Sequence, residues 1–338
     1  MRWLLGTVLV LAMLAFGIGV YHAAGYLKGG RAVVHRPTEV TAPALPGTMY
    51  LVQAGAIYRF HHGSFAQVTA DDGWMQPAPA PGGNKLVAVR RHDNYSDLYL
   101  LSTYGRTSTQ LTHNEVPGPA VESNHWAFYP RFSADGSTLF YDYDPKDPYN
   151  DYRVDLAILA TPPKPSARGA VQWTDPNQYT GGDVNPVPLQ GGGLLYTRYS
   201  IDDKFQVRAQ VWVQLRAGSA GLALTAPELG CGQAALSPDG KLIAMVCTRG
   251  SNQSADLDVA TFDAATLTLG SPATLVSGQL LASPTFSPDG KTVAYLAPSS
   301  PGGAFQLWTV NSSGPASVRD ITTDLGLDST SAPVWLGS

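Results

Sequence analysis

Charge is scarce in this chain. Asp, Glu, Lys and Arg make up 14% of it, well under the roughly one quarter usual for a globular protein. The formal net charge is −4, and basic pairs such as Arg90-Arg91 are too short to form a patch. Together these exclude the footprint of a nucleic-acid binder. Familiar catalytic signatures are also missing: there is no G-x-S-x-G elbow, no H-E-x-x-H and no phosphate loop. The two cysteines are too few for a disulfide-built scaffold. The seven histidines show no metal-ligand spacing. His61 and His62 are neighbours on or after a strand and so point to opposite faces. No cofactor is expected.

Gly (35) and Pro (26) are abundant, which implies many turns and few long helices. Aromatic and β-branched residues run through the whole chain, which excludes a disordered composition.

One long apolar run stands at the start. From Trp3 to Tyr21 there is no charge, and about 20 apolar residues span a bilayer as a helix. Residues 1–26 are therefore expected to be a transmembrane anchor or signal segment. The length favours an anchor, whereas Ala23-Ala24-Gly25 leaves a cleavage site open. Arg2 precedes the run and Lys28, Arg31 and Arg36 follow it, so flanking charge does not set the orientation. Residues 27–47, with Gly29-Gly30, Pro37, Pro43 and Pro46, read as a linker.

The body of the chain, 48–338, is a repeat. SPTFSPDGKTVAYL begins at Ser283, GQAALSPDGKLIAMV at Gly232 and YPRFSADGSTLFYDY at Tyr129. Weaker copies begin at Pro77 and Asn185, and SAPVWLGS from Ser331 is a shortened sixth. Aligned on Phe286, the equivalents are Ala80, Phe132, Pro188, Leu236 and Trp335, at intervals of about 50 residues. A second landmark, a large apolar residue followed by Thr, closes each unit. It occurs at Val68-Thr69, Leu111-Thr112, Trp173-Thr174, Leu224-Thr225 and Ile321-Thr322, with Leu275-Val276 in the remaining place. Each unit reads as four antiparallel strands, the first two joined by an S-P-D-G turn. Six such units of about 50 residues predict an all-β, six-bladed β-propeller. The blades are expected at about 331–336 with 48–69, then 76–112, 128–174, 184–225, 232–276 and 282–322. The segment from Met49 starts as a second strand, and its missing first strand is expected from Ala332–Trp335. That composite blade would close the ring.

The SPDGK repeat resembles that of TolB-type propellers, which are usually six-bladed. The resemblance covers residues 48–338. It implies a protein of the cell envelope that works by binding other proteins. The linker is too short to hold the globular domain that precedes the propeller in TolB itself.

Cys231 and Cys247 flank the turn at 237–240. With Ser237 opposite Lys241, the hairpin register puts them directly across from each other. A disulfide is expected, in keeping with an oxidising compartment; two small facing core residues are the alternative.

Strand order sends the strand two–three loops and the inter-blade loops to one face, where the long loops gather. Trp74, Arg91, His92, His113, His125, Trp126, Tyr149, Arg153 and Tyr179 fall in this material, as does Phe205. Aromatic rings and Arg on loops form recognition surfaces. The Asp-rich stretch 142–151 offers Asp142, Asp144 and Asp147 to a calcium ion. It lacks the Gly and distal Glu of the twelve-residue calcium loop, so a solvated loop is the preferred reading.

The expected function is a non-enzymatic, membrane-anchored, extracytoplasmic platform that binds an envelope protein. The alternative is a propeller enzyme of lyase or glycoside hydrolase type, or a small-ligand binder, using the channel mouth. A deep pocket with perturbed titratable groups would favour that alternative.

Overall fold

The computed structural model describes residues 45–105, 108–118, 121–145, 155–165, 169–176, 179–250 and 254–337. The expected anchor at 1–26 and nearly all of the linker lie outside these residues. Among the described residues, no helix is long and apolar enough to cross a membrane.

The strands form six antiparallel sheets, five of them built from consecutive segments. Blade 2 runs Trp74–Pro79, Lys85–Arg91, Ser96–Ser102 and Ser108–Gln110 from the axis outward. Blade 3 is Ala127–Phe132, Leu139–Tyr143, Ala157–Thr161 and Val171–Gln172. Blade 4 is Asp183–Pro188, Leu194–Ile201, Val207–Gln214 and Leu222–Ala223. Blade 5 begins with Cys231–Leu236, Leu242–Cys247 and Ala255–Asp263, and blade 6 with Ala282–Phe286, Thr292–Pro298 and Phe305–Asn311. In blade 1 the innermost strand is Val334–Leu336, paired to Thr48–Gln53 with Thr48 opposite Leu336. The ring closes as the repeat predicts.

No single core sits at the centre. The buried apolar residues fall into six clusters, one in each seam between consecutive blades. In blade 6, Val293 and Tyr295 pack toward blade 5, while Ala294 and Leu296 pack toward blade 1. Both faces of a second strand are thus buried, so these strands read as continuous apolar runs. Each fully buried Leu, Val or Phe contributes about 1.5–3 kcal/mol.

Three repeated devices satisfy the backbone where strands end. The first is the turn. Ser287 Oγ accepts the Thr292 N–H at 3.0 Å and donates to Asp289 at 2.6 Å, and Asp289 accepts the Lys291 N–H at 3.1 Å. Ser237–Asp239 and Ser133–Asp135 repeat this pattern. The second device is the apolar-Thr landmark. The hydroxyls of Thr69, Thr112, Thr174, Thr225 and Thr322 accept the N–H groups of Ile57, Leu98, Ile158, Val211 and Leu307, all at 2.9–3.0 Å. Blade 5 has Val276 at this place and no hydroxyl. There the outer segment Ala273–Gln279 keeps pairing with the third strand, with Val276 opposite Leu257, alongside the short strand Thr268–Leu269.

The third device was not foreseen. Each innermost strand of blades 2–6 carries a bulge at a residue of positive φ: Gln76, Tyr129, Asn185, Gln233 and Ser283. The bulge frees that residue's N–H, and the preceding blade accepts it. The acceptors are Ser331 Oγ, Gln76 Oε1, Asp142 Oδ2, Thr197 Oγ1 and Gln233 Oε1 in turn, at 2.6–3.1 Å.

The bulge corrects two expectations. Pro79, not Ala80, is the equivalent of Phe286, since Pro79 faces Leu86 as Phe286 faces Val293. The turn register is also one residue longer than expected, with Leu236 opposite Ile243. The bulge between Gly232 and Ala235 takes up the difference, so Cys231 still faces Cys247. The two form a disulfide.

Candidate functional site

The innermost strands surround a cavity of about 420 Å³ on the propeller axis. Tyr129, Asn185, Gln233, Ser283 and Thr330 give its wall a polar character. Arg131 is the one charged side chain among the described residues that line it. Arg131 stands two residues past the bulge of blade 3. The same position holds Ala78, Val187, Ala235, Thr285 and Val334 in the other blades. Its one hydrogen bond among the described residues goes from a guanidinium N–H to the Pro130 carbonyl at 3.1 Å.

Electrostatics around this wall are perturbed. Asp142 is fully buried in the second strand of blade 3. Burial raises its carboxyl well above the usual range, against the hydrogen bond from the Asn185 N–H. Its second oxygen has no hydrogen-bond partner among the described residues. Burial lowers the pKa of Arg131, with Asp142 and Tyr129 opposing. Tyr129 and Tyr199 are both raised, first by burial and then by Asp142. Asp142 does not line the cavity, and among the described residues no three acids, histidines or cysteines gather. A lone carboxyl off the wall is not an acid–base pair.

The loop face carries a second arrangement. Arg91 ends the second strand of blade 2, and its guanidinium carbon lies 5.9 Å from the centre of the Trp126 ring. Trp126 in turn stacks on Phe128 at 5.7 Å with an 11° tilt. A cation over an aromatic face contributes about 0.5–1 kcal/mol at such exposed sites. His125 is stacked on Tyr143 at 5.0 Å, with Nδ1 3.1 Å from the Asp144 carbonyl. His92 stacks on Tyr95 at 4.4 Å. His113 is exposed. Tyr179 is exposed at positive φ, and its loop is tied down by Asp155, whose carboxylate accepts the N–H groups of Tyr179, Thr180 and Gly181. Phe205, at the tip of a blade 4 hairpin, is 90% exposed.

The structure therefore brings Arg91 and Trp126 together. Trp74 needs correction. It is the first residue of an innermost strand and is buried in the seam between blades 1 and 2, edge-on to Tyr99 at 5.4 Å. Gly73, at φ 70°, turns the chain into the strand earlier than the loop reading allowed. Asp142 and Asp144 spend oxygens on the backbone N–H groups of Asn185 and Trp126. Asp147, Tyr149 and Arg153 lie outside the described residues. Sequence reasoning missed Arg131. Its signal was present in the aligned repeat: one charge in a position that otherwise holds Ala, Val or Thr.

Six antiparallel sheets round an axis, five of four strands and one with an added fifth, and one of them closed by strands from both ends, define a six-bladed β-propeller. The chain has the fold of the TolB-type propellers. It is similar to TolB from Acinetobacter baumannii with a TM-score of 0.64 at 19% identity, over 91% of this chain and 70% of that one. A protein designated TolB from Agrobacterium tumefaciens matches with a TM-score of 0.59 at 14% identity, over 86% and 94%. Kuenenia stuttgartiensis hydrazine synthase matches with a TM-score of 0.62 at 13% identity, over 88% of this chain and 49% of that one. No protein-family model and no curated protein sequence matches the chain. At these identities the likeness concerns fold, and this fold serves an enzyme as well as TolB.

Proposed function

We propose that the chain is a tethered envelope protein whose propeller binds a protein partner on the loop face. The observation that carries this reading is the Arg91–Trp126–Phe128 stack. Arg and aromatic rings held at fixed geometry on a loop rim are the residue types that dominate protein interfaces. The path of the chain supports it. Thr48 enters the propeller opposite Leu336, at the end that carries the strand one–two turns. The strand two–three loops and inter-blade loops lie at the other end of the strands. The apolar run at 3–21 supports anchoring in a membrane. The Cys231–Cys247 disulfide supports an oxidising compartment.

The test places a photo-cross-linking residue at position 126 of the full chain in its own membrane, with Asp289 on the turn face as control. The expected result is one discrete protein adduct from position 126 and none from 289. No adduct at 126, or the same adducts at both positions, would overturn the loop-face reading.

A further inference from the structure

The axial cavity is not used by the loop-face reading, and its chemistry is specific. Five of the six blades place a small, uncharged residue at the position that blade 3 gives to Arg131. The fold therefore does not require a guanidinium there. Arg131 is half-buried, and withdrawing a charge from water even in part is unfavourable unless it is paired. Among the described residues its hydrogen-bond pairing is incomplete. Arg131 offers five N–H donors, and one is used on the Pro130 carbonyl. Asp142, the described acid whose charge acts on Arg131, is off the cavity wall and already holds the Asn185 N–H.

The other residues on the wall limit what could complete the site. No second cation lines it among the described residues, so a phosphate dianion would keep uncompensated charge. A carboxylate carries one negative charge and matches the guanidinium fork with two parallel hydrogen bonds. Gln233 and Thr330 can meet further polar groups, and Leu281 and Phe305 offer apolar contact. The cavity of about 420 Å³ falls in the range of small-molecule sites, roughly 300–1,000 Å³.

We propose that the propeller channel binds one organic carboxylate, anchored by Arg131. The carboxylate belongs either to a free small acid or to the C-terminus of a peptide, and the same interaction serves both. This inference goes beyond the loop-face reading and does not depend on it.

The test is a titration of the full-length chain with butyrate, butyramide, inorganic phosphate, and Ala-Ala-Ala with a free or an amidated C-terminus. Binding of butyrate identifies a free acid as a sufficient ligand. Binding of the free-terminus tripeptide alone identifies a peptide end. Either supports the site, provided that butyramide and the amidated peptide bind at least tenfold more weakly. Arg131→Ala copies the residue of blades 2 and 5. It should abolish binding while melting at or above the wild-type temperature. Arg131→Lys keeps the charge but not the fork and should retain part of the affinity. Four results overturn the proposal: no carboxylate binds, butyramide binds as well as butyrate, phosphate binds more tightly than either carboxylate, or Arg131→Ala lowers the melting temperature of the ligand-free protein.

Discussion

Thr322→Val tests the apolar-Thr landmark as a structural device. Thr322 is 1% exposed. Its hydroxyl accepts the Leu307 N–H at 2.9 Å and donates to Gln306 Oε1 at 3.0 Å. Valine has nearly the same shape and neither function. The buried Leu307 N–H would lose its acceptor, at a cost of about 1–3 kcal/mol. Gln306 Oε1 keeps the Leu325 N–H at 3.2 Å, so it is not left empty. The added methyl joins the apolar seam and returns about 0.8 kcal/mol. The net loss is about 0.2–2 kcal/mol, centred near 1. With a urea slope of about 3 kcal/mol per molar, the midpoint should fall by roughly 0.4 M. Val276→Thr is the control. Blade 5 meets the same need by strand pairing, so a hydroxyl there gains nothing and should not raise the midpoint. The reasoning fails if Thr322→Val unfolds at the wild-type urea concentration, or if Val276→Thr stabilises the protein.

Two further predictions concern the hairpin bridge and the turns. Reducing Cys231–Cys247, or replacing both residues with Ala, should lower stability by about 2–4 kcal/mol, read as a urea midpoint shift with and without reductant; unchanged midpoints would show that the bridge is redundant. Hydrogen bonds from Ser133 and from the Ser137 backbone hold the Asp135 carboxyl down at about 2. Their counterparts lower Asp239 and Asp289. A carboxyl lowered in the folded state adds stability above its ordinary range near 4 and loses it as the pH falls toward 2. Asp142 has the opposite sign, since its raised pKa means that acidification first relieves its burial. Stability measured by urea between pH 7 and 2.5 should therefore hold or rise before it drops below about 4; a continued rise down to pH 2.5 would contradict the turn assignment.

What was legible in the sequence is what depends on local chemistry. The Ser and Asp of the S-x-D-G turn satisfy N–H groups within five residues of themselves, so spacing alone reveals them. The Thr landmark recurs because one backbone N–H per blade needs the same acceptor. The closing strand was visible because the first unit starts one strand short. The bulges were not visible, because each is stabilised by a side chain from the preceding blade, 36 to 53 residues away in four cases and 255 in the fifth. Within P-A-P-A-P at 77–81 the alternation fits two alignments equally, and a non-local bulge decided between them. On the loop face the residue types were legible, but not which of them meet. Trp74 resembled a loop aromatic because the left-handed turn at Gly73 has no sequence signature beyond glycine itself.

Two departures from the repeat then carry different meanings. Val276 removes an acceptor that five other blades supply, and the fold answers with additional pairing along the third strand. That change is absorbed within blade 5. Arg131 adds a charge that five other blades do without, and the described residues answer it with one hydrogen bond, to a backbone carbonyl, and with the charge of Asp142 at longer range. A half-buried donor set of that strength is costly when left open. The seams, turns and bulges hold without it, since none of their hydrogen bonds passes through the Arg131 side chain. A residue that the architecture does not need, at a position where it costs stability, is the mark of a site kept for binding rather than for folding.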